Sequence, residues 1–271
     1  MTDYRMPERP QDSNKGSFGK VLNISGNKNY VGAAYLSTVS ALKVGAGFCA
    51  LASTERVISS VSAILPEAVY LTREEGLRNI KQYTTFLIGC GLGVERSSVD
   101  VFKRIVHKLQ KETMPVVIDA DGLNILSKQC MELPQNTVIT PHPLEAARLL
   151  KVELGEILSD LEGSAKKLSS KYGCVVVLKM HRTIICEGEN IVINQHGNSA
   201  LAKAGSGDVL AGIIAGLLAQ GMTTFEAAKL GVYLHSRAGE IASKEMSEYS
   251  VLASDLPKYL AFAIKELITQ N

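Results

Sequence analysis

Hydrophobic and polar positions follow two alternating patterns along most of the chain. Short β-branched runs predict strands, and segments with apolar residues three or four positions apart predict helices. The predicted strands are residues 21–25, 47–52, 85–88, 115–120, 137–140 and 174–179, with a hairpin from 183–187 and 191–194. The predicted helices are residues 32–44, 98–111, 144–150, 164–172, 208–219, 224–244 and 255–269, with a short one opening at 121.

This alternation predicts an α/β fold with a mostly parallel central sheet and helices on both faces. We find no linker, repeat or low-complexity tract, so we expect residues 1–271 to form a single domain. Ligands of open α/β sheets bind outside the carboxyl ends of the strands. The polar loops that follow Ser25, Ile88, Ala120, Thr140 and Lys179 are therefore where we expect the chemistry.

Composition excludes several classes of protein. The 271 residues carry a net charge of +2 and no Trp, so neither nucleic acid nor a membrane is an expected partner. The longest apolar run, residues 209–219, is too short to cross a bilayer and is interpreted as a buried helix. The five cysteines include no C-x-x-C pair and the N-terminus has no apolar signal region, which favours a cytoplasmic enzyme with reduced thiols.

The most informative segment reads Gly205-Ser206-Gly207-Asp208 and opens an apolar helix. Glycines allow the backbone to approach a ligand, and the free N–H groups of a helix start form an anion hole. Asp208 lies where the helix dipole favours a carboxylate, so we expect it to be ionised at neutral pH and able to accept a proton. The alternative is that Asp208 only caps the helix.

An ordered set of motifs resembles one known family. Besides the loop at Asp208, the matching segments are residues 14–20, 32–34, 45–47, 65–68, 89–93, 119–124, 140–145 and 178–179. Together they resemble the ADP/ATP-dependent NAD(P)H-hydrate dehydratases, which belong to the ribokinase-like superfamily. The extra epimerase domain that some relatives carry is not recognisable here, so the resemblance is to the stand-alone dehydratase.

The resemblance implies a role for each matching residue of the substrate site. Asp208 would accept the proton of the substrate hydroxyl, and Gly205, Ser206 and Gly207 would stabilise the transferred phosphoryl group. Ala33, Gly91, His142 and Asp208 would contact the hydrated nicotinamide dinucleotide, NADHX or NADPHX.

The resemblance also implies an adenine-nucleotide site for ADP or ATP as co-substrate. Its residues would be Lys179, Met180, His181, Arg182, Thr183, Asn198 and Gly207. For His181 and Arg182, a solvated turn is an equally good interpretation. Met180 stands where the family has Gly. Mg²⁺ would be held through water by Glu145, and the family's habit implies a homo-oligomer, for example a tetramer.

Some interpretations remain open at the level of the sequence. His142 could be a capped loop histidine, and Glu145 a solvated residue of a first helical turn. Asp119, Asp121 and Asn124 could be a metal or substrate cluster, although Asp121 could equally cap a helix. Cys90 replaces the Pro of the family's Gly-Pro-Gly loop, and we interpret it as structural.

The resemblance predicts dehydration of the S-form of NADHX or NADPHX through phosphorylation of its hydroxyl and loss of phosphate. A kinase of a small alcohol or vitamin precursor would share the loop at Asp208 and is the alternative within the fold. The stretch 140–143 and the entry at Lys15-Gly16 favour the dehydratase. A nucleotide-binding protein without catalysis would not need the acid–base group that Asp208 provides.

Overall fold

Nine strands form one sheet in the computed structural model, which describes residues 4–270. The strands are β1 Lys20–Ile24, β2 Phe48–Ser53, β3 Val69–Thr72, β4 Thr85–Ile88, β5 Val116–Ile118, β6 Thr137–Ile139, β7 Val175–Leu178, β8 Ile184–Glu187 and β9 Asn190–Ile193. Their order across the sheet is β3-β2-β1-β4-β5-β6-β7-β8-β9. β1 to β7 pair in parallel, and the hairpin of β8 and β9 continues the sheet antiparallel. The predicted mostly parallel sheet is confirmed.

Eleven α-helices connect and cover the strands within residues 4–270. They are α1 Val31–Lys43, α2 Glu55–Ser62, α3 Arg73–Arg78, α4 Arg96–Leu109, α5 Asp121–Leu126, α6 Pro143–Leu150, α7 Leu154–Ser159, α8 Leu161–Tyr172, α9 Ser206–Ala219, α10 Thr224–Glu245 and α11 Leu256–Gln270. Two 3₁₀ turns lie at Ile80–Gln82 and Ser199–Leu201. No helix in the described part of the chain is both long enough and apolar enough to cross a membrane.

The core consists of two large hydrophobic layers, one on each face of the sheet. Alternate residues of a strand point to opposite faces, so Val21 belongs to one layer and Leu22 to the other. The first layer is completed by α1, α9, α10 and α11, and the second by α4, α5, α6 and α8. The continuous apolar run of β7 is buried along its whole length, as expected for a strand with helices on both faces.

Helices α1 and α9 pack so closely that glycine is required between them. A Cβ atom on Gly212 would lie 2.2 Å from the carbonyl oxygen of Ser37, and one on Gly216 would lie 2.3 Å from Val44 Cγ1. This close approach fixes the middle and the C-terminal end of α9 against those of α1. The apolar residues 209–219 all belong to α9 and are buried, so the predicted buried helix is confirmed.

Candidate active site

A cavity of about 790 Å³ lies at the carboxyl ends of β5, β6 and β7, against the N-terminus of α9. The residues directly after these strands contribute to it: Asp119 and Ala120 follow β5, and Lys179 follows β7. Its remaining lining is His142, Glu145, Met180, His181, Thr183, His196, Gly197, Asn198, Ser199, Leu201, Ala202, Lys203, Gly205, Ser206, Gly207, Asp208, Leu210, Val232, His235 and Ser236. This position is the expected one for a ligand of an α/β sheet.

The turn that opens α9 presents Gly205, Ser206, Gly207 and Asp208 to the cavity. Gly205 has φ 93°, a conformation that a side chain would strain, and it allows the chain to enter the helix sharply. The Ser206 N–H donates to the Lys203 carbonyl oxygen at 3.2 Å, which closes the turn. The first turn of a helix leaves N–H groups without helical partners, so this corner can receive an anion.

The pKa of Asp208 differs from the expectation. Burial raises the pKa of its carboxyl group to about 7, and the nearby Asp119 carboxylate acts in the same direction. The sequence had suggested that the helix dipole would keep Asp208 ionised, but desolvation of the carboxylate outweighs the dipole. A carboxyl group with this pKa is well suited to accept a proton near neutral pH and to return it.

Lys179 and Asp119 form an ion pair at the floor of the cavity, with Nζ 2.8 Å from Asp119 Oδ1. The Thr140 hydroxyl donates to the same oxygen at 2.7 Å. Burial acts against the charged Lys179, but the carboxylates of Asp119 and Glu145 more than compensate, and the pKa of the ammonium is raised. A lysine held charged in this way can bind a phosphate as a point charge.

Cys90 lies next to these carboxylates. Its Sγ is 3.8 Å from Asp119 Oδ2, and the side chain is fully buried. Burial and the neighbouring carboxylates raise the pKa of the thiol well above its usual value. Such a thiol is a poor nucleophile, which agrees with the structural interpretation of Cys90.

His142 and Glu145 cap helix α6 reciprocally. His142 Nδ1 accepts hydrogen bonds from the N–H groups of Leu144 and Glu145 at 3.2 and 3.3 Å, and Glu145 Oε2 accepts from the His142 N–H at 2.9 Å. Burial, and then the charge of Lys179, lowers the pKa of His142. The neutral ring therefore carries its hydrogen on Nε2. His142 is both a cap and a cavity residue, so the two interpretations open in the sequence are compatible.

Glu145 is almost fully buried, with 5% of its surface exposed. Burial raises the pKa of its carboxyl group to about 7, partly offset by Lys179. Because one of its oxygens already accepts the capping hydrogen bond, it has little capacity to bind a metal directly. The alternative of a solvated first-turn glutamate is therefore wrong.

Sequence reasoning missed a second polar pair in the cavity. Ser206 Oγ lies 3.0 Å from His235 Nε2, and both residues are buried. Burial lowers the pKa of His235 to about 4, so the ring is neutral. His235 comes from the middle of α10, 29 residues away in the chain. No local motif indicated this long-range contact.

Most of the predicted nucleotide residues line the cavity, with one exception. Lys179, Met180, His181, Thr183 and Asn198 lie together with the loop at Gly207. Asn198 also caps the 3₁₀ turn Ser199–Leu201 by accepting from the Ala200 N–H at 3.2 Å. Arg182 instead lines a shallow depression beside Ile184 and Ile193, because neighbouring residues of a turn point in different directions.

Ala33 and Gly91 do not line this cavity but contact each other at a different point of the sheet edge. A Cβ on Gly91 would lie 2.8 Å from Ala33 Cβ and 2.6 Å from Tyr30 Cβ. They follow β1 and β4, the neighbouring strands at which the strand order reverses, which is where crevices form in open sheets. Cys90 precedes Gly91, and its Sγ lies within 4.8 Å of carboxylate oxygens of Asp119 and Asp208, so these side chains connect the crevice to the cavity.

The cluster proposed from Asp119, Asp121 and Asn124 is divided in the structure. Asp119 belongs to the cavity, whereas Asp121 Oδ2 accepts from the Gly93 N–H at 2.8 Å and Asn124 Oδ1 accepts from Arg148 at 2.8 Å. Asp121 thus braces the loop after β4. Ala120, between the two aspartates, has φ 49° and ψ −116°, a strained conformation for a residue with a side chain.

The fold and this corner define a class of protein. Charged and dipolar groups around a cavity at the sheet edge, with a carboxyl group at the start of a buried helix, are typical of the ribokinase-like α/β enzymes. The chain is similar over 97% of its length to the ADP/ATP-dependent NAD(P)H-hydrate dehydratase of Bacillus subtilis co-crystallized with ATP/Mg²⁺, covering 94% of that chain, with a TM-score of 0.88 and 30% identity. Residues 21–261 match the family described as NAD(P)H-hydrate dehydratase, and the chain belongs to this family.

Curated relatives agree with this assignment. The chain is 37% identical to the ADP-dependent (S)-NAD(P)H-hydrate dehydratase of Neisseria meningitidis, with 86% of this chain and 80% of the relative covered. It is 34% identical to the enzyme of the same name from Enterococcus faecalis, over 96% of this chain and 89% of the relative. A hydroxyethylthiazole kinase from Pyrococcus horikoshii shares the fold, with a TM-score of 0.68, at 16% identity over 93% of this chain and 91% of that chain.

Proposed function

We propose that the protein dehydrates the S-form of NADHX or NADPHX back to NADH or NADPH and consumes ADP or ATP. Family membership and the curated relatives named ADP-dependent (S)-NAD(P)H-hydrate dehydratase support this proposal. The observation that carries it for this chain is the buried Asp208 carboxyl group, whose pKa of about 7 suits proton transfer, at an anion-binding helix start.

The first step would be phosphoryl transfer to the hydroxyl of the hydrated ring. The hydroxyl oxygen forms a bond to the terminal phosphorus of the nucleotide, its proton passes to Asp208, and the nucleotide leaves one phosphate shorter. The cavity around Gly205 and Gly207 would receive the transferred group, and Lys179 would neutralise its charge. Phosphate then leaves with the electron pair of the C–O bond, and the adjacent carbon loses a proton as the double bond forms.

Substrate and nucleotide would approach Asp208 from different sides. We assign the hydrated nicotinamide dinucleotide to the crevice at Ala33 and Gly91, with its ring reaching the part of the cavity that His142 and Asp208 line. The nucleotide would occupy the cavity near Lys179, Met180, His181, Thr183 and Asn198, which lie together there. Arg182 faces a different depression, so we expect at most a contribution from its backbone.

A hydrated Mg²⁺ fits the donor set beside the cavity. Carboxylate oxygens are the ligands that Mg²⁺ prefers, and it retains several waters. Asp119, Asp208 and Glu145 supply carboxyl groups there, with Glu145 limited to contact through water because one of its oxygens caps α6. When bound, the ion would neutralise polyphosphate charge.

We also propose that the protein works in the cytoplasm, and as a homo-oligomer. All five cysteines are free, which suits a reducing compartment. Phe262 and Ile268 of α11 are 44% and 59% exposed, and contact with a second copy of the chain would remove their apolar surface from water.

The direct test is incubation of the purified protein with S-NADHX and either ADP or ATP. Absorbance at the NADH band should return only when a nucleotide is present. A kinase of another alcohol would leave the hydrate unchanged, and a protein that only binds nucleotide would show no turnover with any substrate.

A further inference from the structure

Ser206, the first residue of α9, and His235, in the middle of α10, form a buried polar pair in the wall of the main cavity. Ser206 Oγ lies 3.0 Å from His235 Nε2, and the two residues are only 5% and 7% exposed. The proposed base Asp208 is two residues further along α9. The proposed reaction gives His235 no role, although its ring lies next to the turn that would receive the phosphoryl group.

The start of α9 offers two kinds of hydrogen-bond donor to the cavity. The N–H groups of Gly207 and Asp208 belong to the first helical turn and form no hydrogen bond within residues 4–270. The helix fixes the direction of these backbone donors. The Ser206 hydroxyl differs from them, because it rotates about its C–O bond and can either donate or accept. Its partner therefore decides what it presents to a phosphoryl group.

His235 presents a donor to this hydroxyl. Burial lowers the pKa of the ring to about 4, partly offset by the Ser206 carbonyl oxygen, which acts on the ring as a hydrogen-bond acceptor. The ring is therefore neutral at pH 7 and carries a single hydrogen. Because a carbonyl oxygen can only accept, we assign this hydrogen to Nε2, the nitrogen that faces Ser206. Oγ is then the acceptor of the pair.

The hydrogen of the Ser206 hydroxyl is left for a ligand. His235 is the only hydrogen-bond partner of Oγ within residues 4–270, and it already fills an acceptor position. Since Ser206 lines the cavity, the missing acceptor has to belong to the molecule that occupies it. A phosphoryl oxygen is a suitable acceptor, because hydrogen bonds to charged groups are stronger than neutral ones.

We propose that His235 is a positioning residue, which turns the hydroxyl of Ser206 towards the transferred phosphoryl group. This role rests on the proposed function, since it needs phosphoryl transfer at the start of α9. Catalysis of that step depends mainly on positioning and on stabilising the charge of the phosphoryl oxygens. A hydroxyl that is already oriented adds a donor without having to turn during the reaction. His235 itself neither gains nor loses a proton.

The first test removes and then restores the donor on α10. His235→Leu leaves an apolar side chain, and its kcat with S-NADHX should fall about 10- to 100-fold, the range for one hydrogen bond to a charged group. The KM of the hydrate should stay within about twofold, because the contact strengthens in the transition state. His235→Gln supplies an amide N–H and should restore kcat to within about fivefold of the parent.

The matched control is Ser127→Ala. Ser127 also lies at a helix end, but its hydroxyl donates to the Asn124 carbonyl oxygen at 2.9 Å and does not line the cavity. Its kcat and KM should equal those of the parent. A control variant as slow as His235→Leu would overturn the proposal, because loss of any buried or half-buried polar contact would then be sufficient to slow the reaction.

A double-mutant cycle separates positioning from a structural role. If His235 acts only through the hydroxyl of Ser206, Ser206→Ala should lower kcat at least as much as His235→Leu does. Adding His235→Leu to Ser206→Ala should then cause no further fall. Effects that multiply in the double variant, or a Gln variant as slow as the Leu variant, would overturn the proposal.

The position of the ring hydrogen can be observed without turnover. Nitrogen-15 NMR of the histidine-labelled protein distinguishes hydrogen on Nε2 from hydrogen on Nδ1, and the signals that His235→Leu lacks identify the residue. Hydrogen on Nδ1 would overturn the proposal, because Ser206 would then donate to the ring. Failure of the proposed function looks different, since the parent protein would not convert S-NADHX with ADP or ATP whichever nitrogen carries the hydrogen.

Discussion

Asp208 is the residue on which the proposed reaction depends most directly. Asp208→Asn keeps the size of the side chain but removes the proton acceptor. General-base contributions are on the order of 10²–10⁴-fold, so kcat should fall by that amount while ADP binding is retained. Turnover of S-NADHX and calorimetric ADP binding measure the two effects. A kcat within a few-fold of the parent would show that Asp208 is not the base.

The pH dependence follows from the same carboxyl group. Because its pKa is raised to about 7 and the base form is needed, kcat/KM should increase as the pH rises through about 7. Stability should show the opposite trend. The buried carboxyl group binds its proton more tightly in the folded state than in the unfolded chain, so ionisation costs stability as the pH rises from about 4 to about 7. The melting temperature of Asp208→Asn relative to the parent should therefore increase between pH 5 and pH 8. A constant difference would contradict the buried carboxyl group.

His142 requires a variant that separates capping from substrate binding. His142→Ala removes the acceptor for the Leu144 and Glu145 N–H groups and should cost about 1 kcal/mol of stability. His142→Asn keeps an acceptor for the cap but shortens the side chain. We expect the Asn variant to melt near the parent temperature and still to show a raised KM for the hydrate. Normal kinetics in the Asn variant would leave His142 with a capping role only.

At the scale of single elements, the contact between α1 and α9 makes a counter-intuitive prediction. Alanine favours a helix over glycine by about 1 kcal/mol, yet Gly212→Ala should destabilise the protein by about 1–3 kcal/mol. The added methyl group would collide with the Ser37 carbonyl oxygen. Gly155→Ala in α7 is the control, because its Cβ would meet nothing within 4 Å and should be neutral or stabilising. Urea unfolding measures both, and stabilisation by Gly212→Ala would show that the two helices can separate.

The elements that the sequence predicted and those it missed differ in physical character. A local hydrophobic pattern was sufficient to predict the long helices α9 and α10 and the buried strands β4 and β7. The edge strand β3 is only four residues long and partly exposed, so it lacks a buried run. The helices α2, α3 and α7 have six to eight residues and were also missed, because a short helix shows too few periodic positions.

The sequence predicted which residues of the site follow a strand, but it did not predict the environment of their side chains. Asp119, His142 and Lys179 were singled out by the resemblance to the family, and each lies at the carboxyl end of a predicted strand or in the loop that follows it. The burial that raises the Asp208 pKa comes from the packing of distant segments. The contact of Ser206 with His235 and the outward direction of Arg182 likewise depend on tertiary placement.

At the scale of the whole molecule, two candidate binding regions lie along the same edge of the sheet, at the carboxyl ends of its parallel strands. One is the crevice after β1 and β4, and the other is the cavity at the ends of β5 to β7. The Cys90, Asp119 and Asp208 side chains, whose ligand atoms lie within 4.8 Å of one another, lie where the two regions meet. This arrangement suits the proposed phosphoryl transfer, in which the terminal phosphorus of the nucleotide must meet the hydroxyl oxygen of the hydrated dinucleotide.

The distribution of the thiols offers a way to observe how the molecule opens. Cys130 is exposed, whereas Cys49, Cys90, Cys174 and Cys186 are buried and belong to both halves of the sheet. A thiol-reactive dye should therefore label the native protein once at a fast rate, and further labels should appear only as the structure opens. Mass spectrometry resolves the sites, and ADP should slow the labelling of Cys90 most if the nucleotide holds the adjoining carboxyl ends of the strands closed. Rapid labelling of all five positions would instead show that the core opens locally as fast as the reagent reacts.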